Sequence, residues 1–553
     1  MRCRASCAQG KIAGMGGGRS LSIDLAWFVA LLALAAQSTM AAAWPPQPSW
    51  VLAVVNGPPT TLFAVLAGVG SVLAVQGRLV ERARGSAAGA TLVRGLVVVA
   101  VGAVVVPFGW ALPNVLLPLG VAIALSAPML LLPAWVTAVP LLALAGSGGW
   151  ILASVWPLLP YPASTSTWDG LASDPLATLG HVTLTGLPPA LTLLTYVLLG
   201  TLLARMLLAA PHARAQRLVL GGTLAAGALL TTAGVAMSEI GLHRLADHLG
   251  FGIDAVRHEQ LQHQFGAPVT ADWFSMLIAA PASGSYGDLA RTAGMALMVI
   301  GALGLLCSWL PLRARQALEV PRVIGTAPIS LLVTHVVLYS LLVENLSGDA
   351  LDWVLGTRGW ALHGIVFVLL GLVQAIMGAR GVLEAIAEDL ADRIAPHHDP
   401  VRPEIVATPD ETSVVFRMRL RAPIEAVWHA IADPQMQLRW TQDPMTPIVR
   451  AEMDVRTGGS FRWLVSTWLG IRVSLGGTYL RVEPPFVLVT TLGGAGADPA
   501  LVSADWLRHD DGTTTIETSN RYATPELRER ALAELRVAGS RLAEACGARV
   551  QLP

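Results

Sequence analysis

His335 is the residue of this 553-residue chain that most invites a chemical reading, because it stands inside the apolar run VIGTAPISLLVTHVVLYSLL (323–342). An imidazole in such a run can relay protons or hold a substrate; a hydrogen bond between helices is the plainer alternative. Asp24 opens the first apolar run, SIDLAWFVALLALAAQS, at its entrance, where a carboxylate costs little. His363 follows Arg358 by about one helical turn and reads as an interfacial group. The stretch 237–290 is polar and holds Glu239, His243, Arg244, Asp247, His248, Asp254, Arg257, His258, Glu259 and His263. His181 falls on the same side and can join them. HEQLQH resembles a zinc helix on the page, yet such a helix needs two histidines four residues apart. His258 and His263 are five apart, as are His243 and His248. Five residues turn about 500° on a helix, so each pair points two ways. No metal site is therefore predicted. The spacing fits an amphipathic helix over a cavity instead, with Leu242, Leu245, Ala246 and Leu249 on one face and His243, Arg244, Asp247 and His248 on the other.

The elements that must position these groups are long apolar helices. Hydrophobic residues make up 54% of the chain and charged residues 13%, which argues against a soluble enzyme, a disordered tail or a secreted disulfide scaffold. About ten runs reach the roughly 20 residues that a span needs. They cover 22–43, 59–76, 93–112, 114–132, 134–153, 186–204, 218–237, 291–310, 323–343 and 359–378. Pro113, Pro118, Pro128, Pro133 and Pro140 interrupt the fourth and fifth. The first run has small residues after it, as a signal peptide would, but its length and the many runs that follow favour a retained helix.

Charge sets an orientation. Arg2, Arg4, Lys11, Arg19, Arg78, Arg82, Arg84, Arg94, Arg205, Arg214, Arg217, Arg313, Arg315 and Arg322 fall on one side of a ten-span arrangement. Only Arg244, Arg257, Arg291 and Arg358 fall in the opposite loops. Fourteen against four predicts a cell-membrane protein with both termini cytoplasmic. Net charge is zero, so a nucleic-acid partner has no electrostatic support. Cys3, Cys7, Cys307 and Cys546 are too scattered for a disulfide framework or a zinc site.

Beyond Ala379 the pattern changes. A charged helix (GVLEAIAEDLADRIA) and the linker PHHDPVRPE occupy 379–411, and 412–553 reads as a cytoplasmic α+β domain. VVFRMRLRA alternates like a strand, PIEAVWHAIAD opens a helix on a proline, and four strand-like runs follow with Gly or Pro turns. A last helix begins with Thr524 as N-cap and Pro525 at its first position. Trp428, Trp440, Trp463, Trp468 and Trp506 line a pocket or fill a core; Asp443, Arg462, Glu517 and Arg521 are polar cavity groups or solvated strand faces. No nucleophile with a positioned base appears in this domain.

The order Ala422-Pro423, Val427-Trp428, Asp433-Pro434, Trp440, Gly458-Gly459-Ser460-Phe461, Gly477, Glu483-Pro484-Pro485 and Gly512-Thr513 resembles the SRPBCC (START-like, helix-grip) superfamily, in the branch related to the activator of heat-shock-protein ATPase. The resemblance implies a curved antiparallel sheet gripping a long C-terminal helix around an apolar cavity. It also implies a hydrophobic ligand or a protein partner. Trp428, Trp440, Trp463, Arg462 and Trp506 are the ligand-binding candidates.

The first two apolar runs, LTGLPPALTLLTYVLLGTLLAR with Gly186, Pro189, Tyr196, Gly200 and Arg205, SGSYGDLARTAGMALMVIG, and the segment from Gly325 to His335 resemble bacterial heparan-α-glucosaminide N-acetyltransferase-like membrane proteins. That implies an all-α polytopic bundle over 22–378, acyl-CoA as donor, and an extracytoplasmic sugar or lipid as acceptor. Asp24, His181, His258 and His335 are then the catalytic candidates. Two positions depart from that family. Its first span carries Asp followed three residues later by Arg, where this chain has Asp24 and Trp27, and its following histidine is replaced by Gln37-Ser38. Acyl transfer needs a nucleophile or base, so this loss bears on the enzyme reading directly. Two readings result. One is an acyltransferase-like membrane enzyme with a cytoplasmic ligand domain. The other is a non-catalytic membrane protein that binds or transports a hydrophobic ligand, the C-terminal domain acting as sensor or carrier.

Overall fold

The computed structural model describes residues 21–41, 48–80, 83–105, 115–158, 170, 173–210, 213–262, 266–377, 381–395, 404–420, 422–440, 448–466, 472–494, 499–525, 528, 542 and 545–546. Ten main helices occupy the ten apolar runs. They are α1 (Leu21–Ala41), α2 (Pro58–Ala74), α3 (Arg84–Val105), α4 (Leu116–Ser126), α5 (Ala138–Val155), α6 (Ala190–Ala209), α7 (Ala213–Leu249), α8 (Tyr286–Trp309), α9 (Pro328–Asn345) and α10 (Thr357–Met377). Among the described residues nine helical stretches are long and apolar enough to cross a membrane, and Leu116–Leu131 is the shorter one. Its prolines are placed where they cost little. Pro118 and Pro140 stand in the first turns of α4 and α5, where a backbone N–H has no intrahelical acceptor, and Pro128 sits in a 3-10 turn.

Two boundaries differ most from the sequence expectation. Helix α3 starts at Arg84 rather than at 93. Helix α7 runs 37 residues, about 55 Å, and absorbs the amphipathic segment expected as a separate outer helix. Nothing before Gly250, with φ +68°, breaks it. Leu242, Leu245 and Ala246 are buried as the pattern predicts, while Leu249 is exposed with His243, Arg244, Asp247 and His248.

Glycines let these helices touch. Gly227, Gly234 and Gly241 on α7 recur every seven residues, as do Gly287, Gly294 and Gly301 on α8. A Cβ on Gly234 would lie 2.5 Å from Arg291 N, and one on Gly294 2.5 Å from Thr231 N. The backbones of α7 and α8 therefore approach more closely than any side chain would allow. Helices α2 and α6 meet likewise at Gly68 and Gly200, whose Cβ atoms would fall 2.1 Å from Val197 O and 1.9 Å from Val65 O. Trp27, Leu31, Phe63, Leu66, Leu193 and Phe367 centre the shared core.

The charged helix α11 (Val382–Ile394) is part of this bundle rather than a free linker. Ala387 and Ala391 are buried, and Glu384 caps α9 from outside it. Its carboxylate accepts from Ile329 N at 2.6 Å, Ser330 N at 3.2 Å and Ser330 Oγ at 2.6 Å. These are amides with no partner inside their own helix. At the other end Arg78 donates to Asp392 at 2.6 Å, to Ala395 O at 2.6 Å and to Ser86 Oγ at 2.9 Å.

From Glu404 the chain forms an antiparallel eight-stranded sheet in the order β1-β2-β8-β7-β6-β5-β4-β3. The strands are β1 (Glu404–Ala407), β2 (Ser413–Leu420), β3 (Ile448–Met453), β4 (Ser460–Ser466), β5 (Arg472–Glu483), β6 (Val487–Gly494), β7 (Ala500–Arg508) and β8 (Thr514–Arg521). Helices α12 (Ile424–Ala432) and α13 (Pro434–Trp440) lie between β2 and β3 in the chain. Pro423 caps α12 rather than occupying its first turn. Strands β2 and β8 alternate buried and exposed residues, so one face is inward. Met418, Leu420, Val427, Trp506 and Ile516 form the core there with Leu542 and Cys546. Arg528 N donates to Thr524 O at 3.2 Å, which opens the last helix where the sequence places it; 529–541 lie outside the described residues.

Candidate functional site

His335 and His363 form an enclosed polar feature of the helical half. Both are buried, at the meeting of α1, α9 and α10, with ring centroids 4.7 Å apart and planes at 73°. His335 Nε2 lies 2.8 Å from Ser38 Oγ. The Ser38 hydroxyl proton goes to Leu34 O at 2.8 Å, so the ring proton of His335 sits on Nε2 and points at Ser38. His363 Nδ1 lies 2.8 Å from Gly359 O, a carbonyl that only accepts, so its ring proton sits on Nδ1. His335 Nδ1 and His363 Nε2 are then bare lone pairs, both buried without a hydrogen-bond partner. His363, expected as an interfacial group, has its ring enclosed by the bundle. Helix α10 begins at Thr357 and folds back over the end of α1, where Gly356 N donates to Thr39 O at 2.7 Å and Trp360 Nε1 to Leu32 O at 2.9 Å. That seats His363 inside.

The other catalytic candidates do not join the pair. Asp24 is fully buried on α1, 14 residues before Ser38 or about 21 Å along the axis. Arg322 Nη1 stands 3.9 Å from its carboxylate and is also paired with the buried Glu319. The cation facing Asp24 thus comes from a different helix. A Cβ on Gly325 would meet Asp24 O at 1.8 Å, so glycine is required for that contact. His181 is half-buried, its Nδ1 3.2 Å from Thr185 Oγ1, and burial lowers its affinity for a proton. His258 is exposed on the helix Ile253–Gln262, beside the Arg257–Glu239 ion pair at 2.5 Å. His263 lies outside the described residues. Among the described residues no cluster of three or more histidines, cysteines or carboxylates has metal-binding geometry.

A second buried polar group was not legible as one. Arg291, counted above with the outer loops, lies inside α8 and is buried, donating to Ala53 O at 2.8 Å and Asn56 O at 3.4 Å. Asp288 is buried one turn before it and accepts from Gly284 N at 3.2 Å. The Thr292 hydroxyl donates to Asp288 O at 2.8 Å, leaving its oxygen to accept from Tyr196 OH at 2.8 Å. The signal was present as an acid and a base three apart in an apolar run, the spacing that puts both on one helix face.

In the sheet domain the aromatic residues separate into two groups. Trp506 is buried and meets Trp428 edge-on at 5.4 Å within the core, so this pair fills space. Phe461, Trp463 and Tyr479 form a row across β4 and β5, with centroids 4.8 and 5.3 Å from Phe461. Pairing of Phe461 with Gly477, and of Tyr479 with Thr490, puts this row on the same face as Thr490 and Val502, and through them Asn520 on β8. Trp463 is half-buried and its Nε1 has no partner. Burial, with Asp454 nearby, pushes the Tyr479 phenol up to about 12. Arg462 is exposed on the opposite face, because neighbouring strand residues alternate, and cannot share a cavity with Trp463. Glu517 and Arg521 follow the same outward register, Glu517 pairing with Arg417 at 2.6 Å. Burial pushes the Cys546 thiol up to about 12, which keeps it protonated and unreactive. The side chain of Trp440, and all of Asp443 and Trp468, lie outside the described residues.

The comparisons bear on this half alone. No curated protein matches the chain. Solved structures similar to part of it include a protein from Rhodobacter sphaeroides (23% identity, 25% of this chain and 92% of that one, TM-score 0.23). Others are a protein from Nitrosomonas europaea (19%, 26% and 98%, TM-score 0.24) and one from Mycobacterium smegmatis (18%, 26% and 94%, TM-score 0.23). Residues 421–537, which carry strands β3 to β8, α12, α13 and the aromatic row, match the family described as activator of Hsp90 ATPase homolog 1-like protein.

Proposed function

We propose that this chain is a multi-pass membrane protein whose cytoplasmic C-terminal domain binds a hydrophobic ligand, acting as its sensor or carrier beside the bilayer. The bundle occupies 22–378, the charged helix and linker 379–411, and the ligand domain 412–553. Membrane insertion is supported by an inverted surface. Leu142, Leu229, Trp309 and Ile365 are exposed on long apolar helices, an arrangement that water penalises and lipid does not. The arginine bias supports cytoplasmic termini.

The observation that carries the ligand reading is the aromatic row Phe461–Trp463–Tyr479 on the inward face, within the residues matched by the activator family. Such a row offers apolar area, and the bare Trp463 indole N–H offers one donor to a ligand's polar end. Titration of a fluorescent fatty acid into nanodiscs tests this, comparing the full chain with one ending at residue 403. Saturable uptake lost on truncation is expected. Uptake that survives truncation contradicts the reading.

A second reading rests on the histidine pair. In an acyltransferase-like protein, the lone pair on His335 Nδ1 would take the proton of the acceptor hydroxyl as its oxygen attacks the acyl-CoA thioester, and would return that proton to the CoA thiolate released when the C–S bond breaks. His363 would be its neighbour, and Asp24, His181 and His258 would not act in the same step. Acyl-CoA turnover in membranes that His335→Gln abolishes would favour this reading; no turnover by the wild type would remove it.

A further inference from the structure

Helix α11 presents three different sectors. Ala387 and Ala391 are buried against the bundle, and Glu384 and Asp392 on the adjoining arc bond to α9 and to Arg78. Asp389 and Arg393 project outward as an ion pair at 2.9 Å. Between these sectors lie Val382, Ile386, Leu390 and Ile394, exposed by 69, 45, 36 and 65%. They are spaced every fourth residue, which aligns them in one stripe along a helix. Four large apolar side chains in a row on a 13-residue charged helix are not an ordinary water-facing surface.

The stripe continues another one. Helix α10 exposes Ile365, Leu369 and Val373 at the same four-residue spacing, and α11 begins five residues after α10 ends. The anchors of α11 fix its depth. Glu384 holds the first turn of α9, and Asp392 and Ala395 are tied to Arg78, shortly before α3, and Ala395 also to Ser86 in its first turn. Both are starts of helices whose apolar runs lead away from the cytoplasmic side.

We propose that α11 is an interfacial helix: Val382, Ile386, Leu390 and Ile394 insert into the acyl boundary of the inner leaflet, and Asp389 and Arg393 face the cytoplasm. This rests on the membrane reading above. A helix with an apolar stripe, a charged face and little net hydrophobicity lies in the interface rather than across the bilayer. The ligand domain is then held at the inner leaflet by a helix that touches lipid, bundle and linker together. An apolar molecule leaving the leaflet meets the domain without crossing bulk water.

Nitroxide accessibility in the full chain tests this, in a background with the four cysteines replaced by alanine and reconstituted in phosphatidylcholine–phosphatidylglycerol vesicles. Labels go on Ile386→Cys, Leu390→Cys, Leu369→Cys and Asp389→Cys. Oxygen relaxation with loss of nickel-chelate relaxation is expected at 386, 390 and 369, and nickel relaxation at 389. Nickel access at 386 and 390 with protection at 369 places α11 in water and overturns the proposal. Protection of 386 and 390 from both reagents means that protein covers the stripe, and overturns it too. Nickel access at 369 as well overturns the membrane reading itself.

Discussion

The helical and sheet halves use the same residue types in opposite ways. In the helical half large apolar side chains such as Trp135 and Trp309 face outward, and the interior is closed by glycine contacts and a few pinned polar groups. In the sheet half Trp506 is inward and charges cover the strands. Arginine divides the same way. Arg205 donates to Met129 O at 2.9 Å and Leu132 O at 2.6 Å, and Arg291 to Ala53 O, so that each caps backbone carbonyls at the end of a helical segment. Arg417 and Arg419 form exposed cross-strand pairs with Glu517 and Asp511 at 2.6 and 2.8 Å. A polar contact therefore carries structure in the first half and mostly solubility in the second.

Substitutions can break this contrast in order of size. Gly200→Leu should have the largest effect, because its Cβ meets Val65 O at 1.9 Å and neither backbone can retreat; loss of monodisperse protein in detergent is expected. Trp506→Ala should lower the unfolding free energy of the sheet domain by about 3–5 kcal/mol, read from its own thermal transition, with the helical half unchanged. Ser38→Ala strands the buried Nε2–H of His335 and should cost about 1–3 kcal/mol, read as a lowered Tm of the bundle. Asparagine at the same position should restore part of it, since its amide oxygen can accept. Arg417→Ala should be the smallest, at most about 1 kcal/mol, because both partners are half exposed and screened. A large effect of Arg417→Ala, or none of Ser38→Ala, would erase the contrast.

Cysteine gives a related check without substitution. With its thiol pushed up to about 12, Cys546 should resist maleimide at pH 7–8 while the domain is folded and react once it unfolds. Labelling of Cys546 at native conditions would show that the core around Trp506 and Leu542 is open.

The positions of the ten helices were legible because a long apolar helix shows its length and apolarity in one dimension. The seven-residue glycine spacing of α7 and α8 was equally visible, yet spacing alone does not say which two helices meet. The candidate site was legible only in part. His335 stood out in its apolar run, but its partner Ser38 is 297 residues away and His363 was masked by its closeness to Arg358. Burial of that second imidazole comes from the fold-back of α10 over α1, a tertiary fact. In the sheet domain strict alternation separates Arg462 from Trp463 at once, and the family-style grouping of both as ligand residues overlooked that register. Of the residues grouped there, Trp463 is half-buried in the inward aromatic row and Trp506 belongs to the core.

The central claim is that an apolar ligand settles on the aromatic row of the sheet domain while the bundle stays as it is. Hydrogen-exchange mass spectrometry of the full chain in nanodiscs, with and without a long-chain fatty acid, tests it most directly. Slower exchange in peptides from β4, β5 and β7, with α9 and α10 unchanged, is the predicted result. Slower exchange confined to α9 and α10 around His335 and His363, with the sheet unaffected, would contradict it.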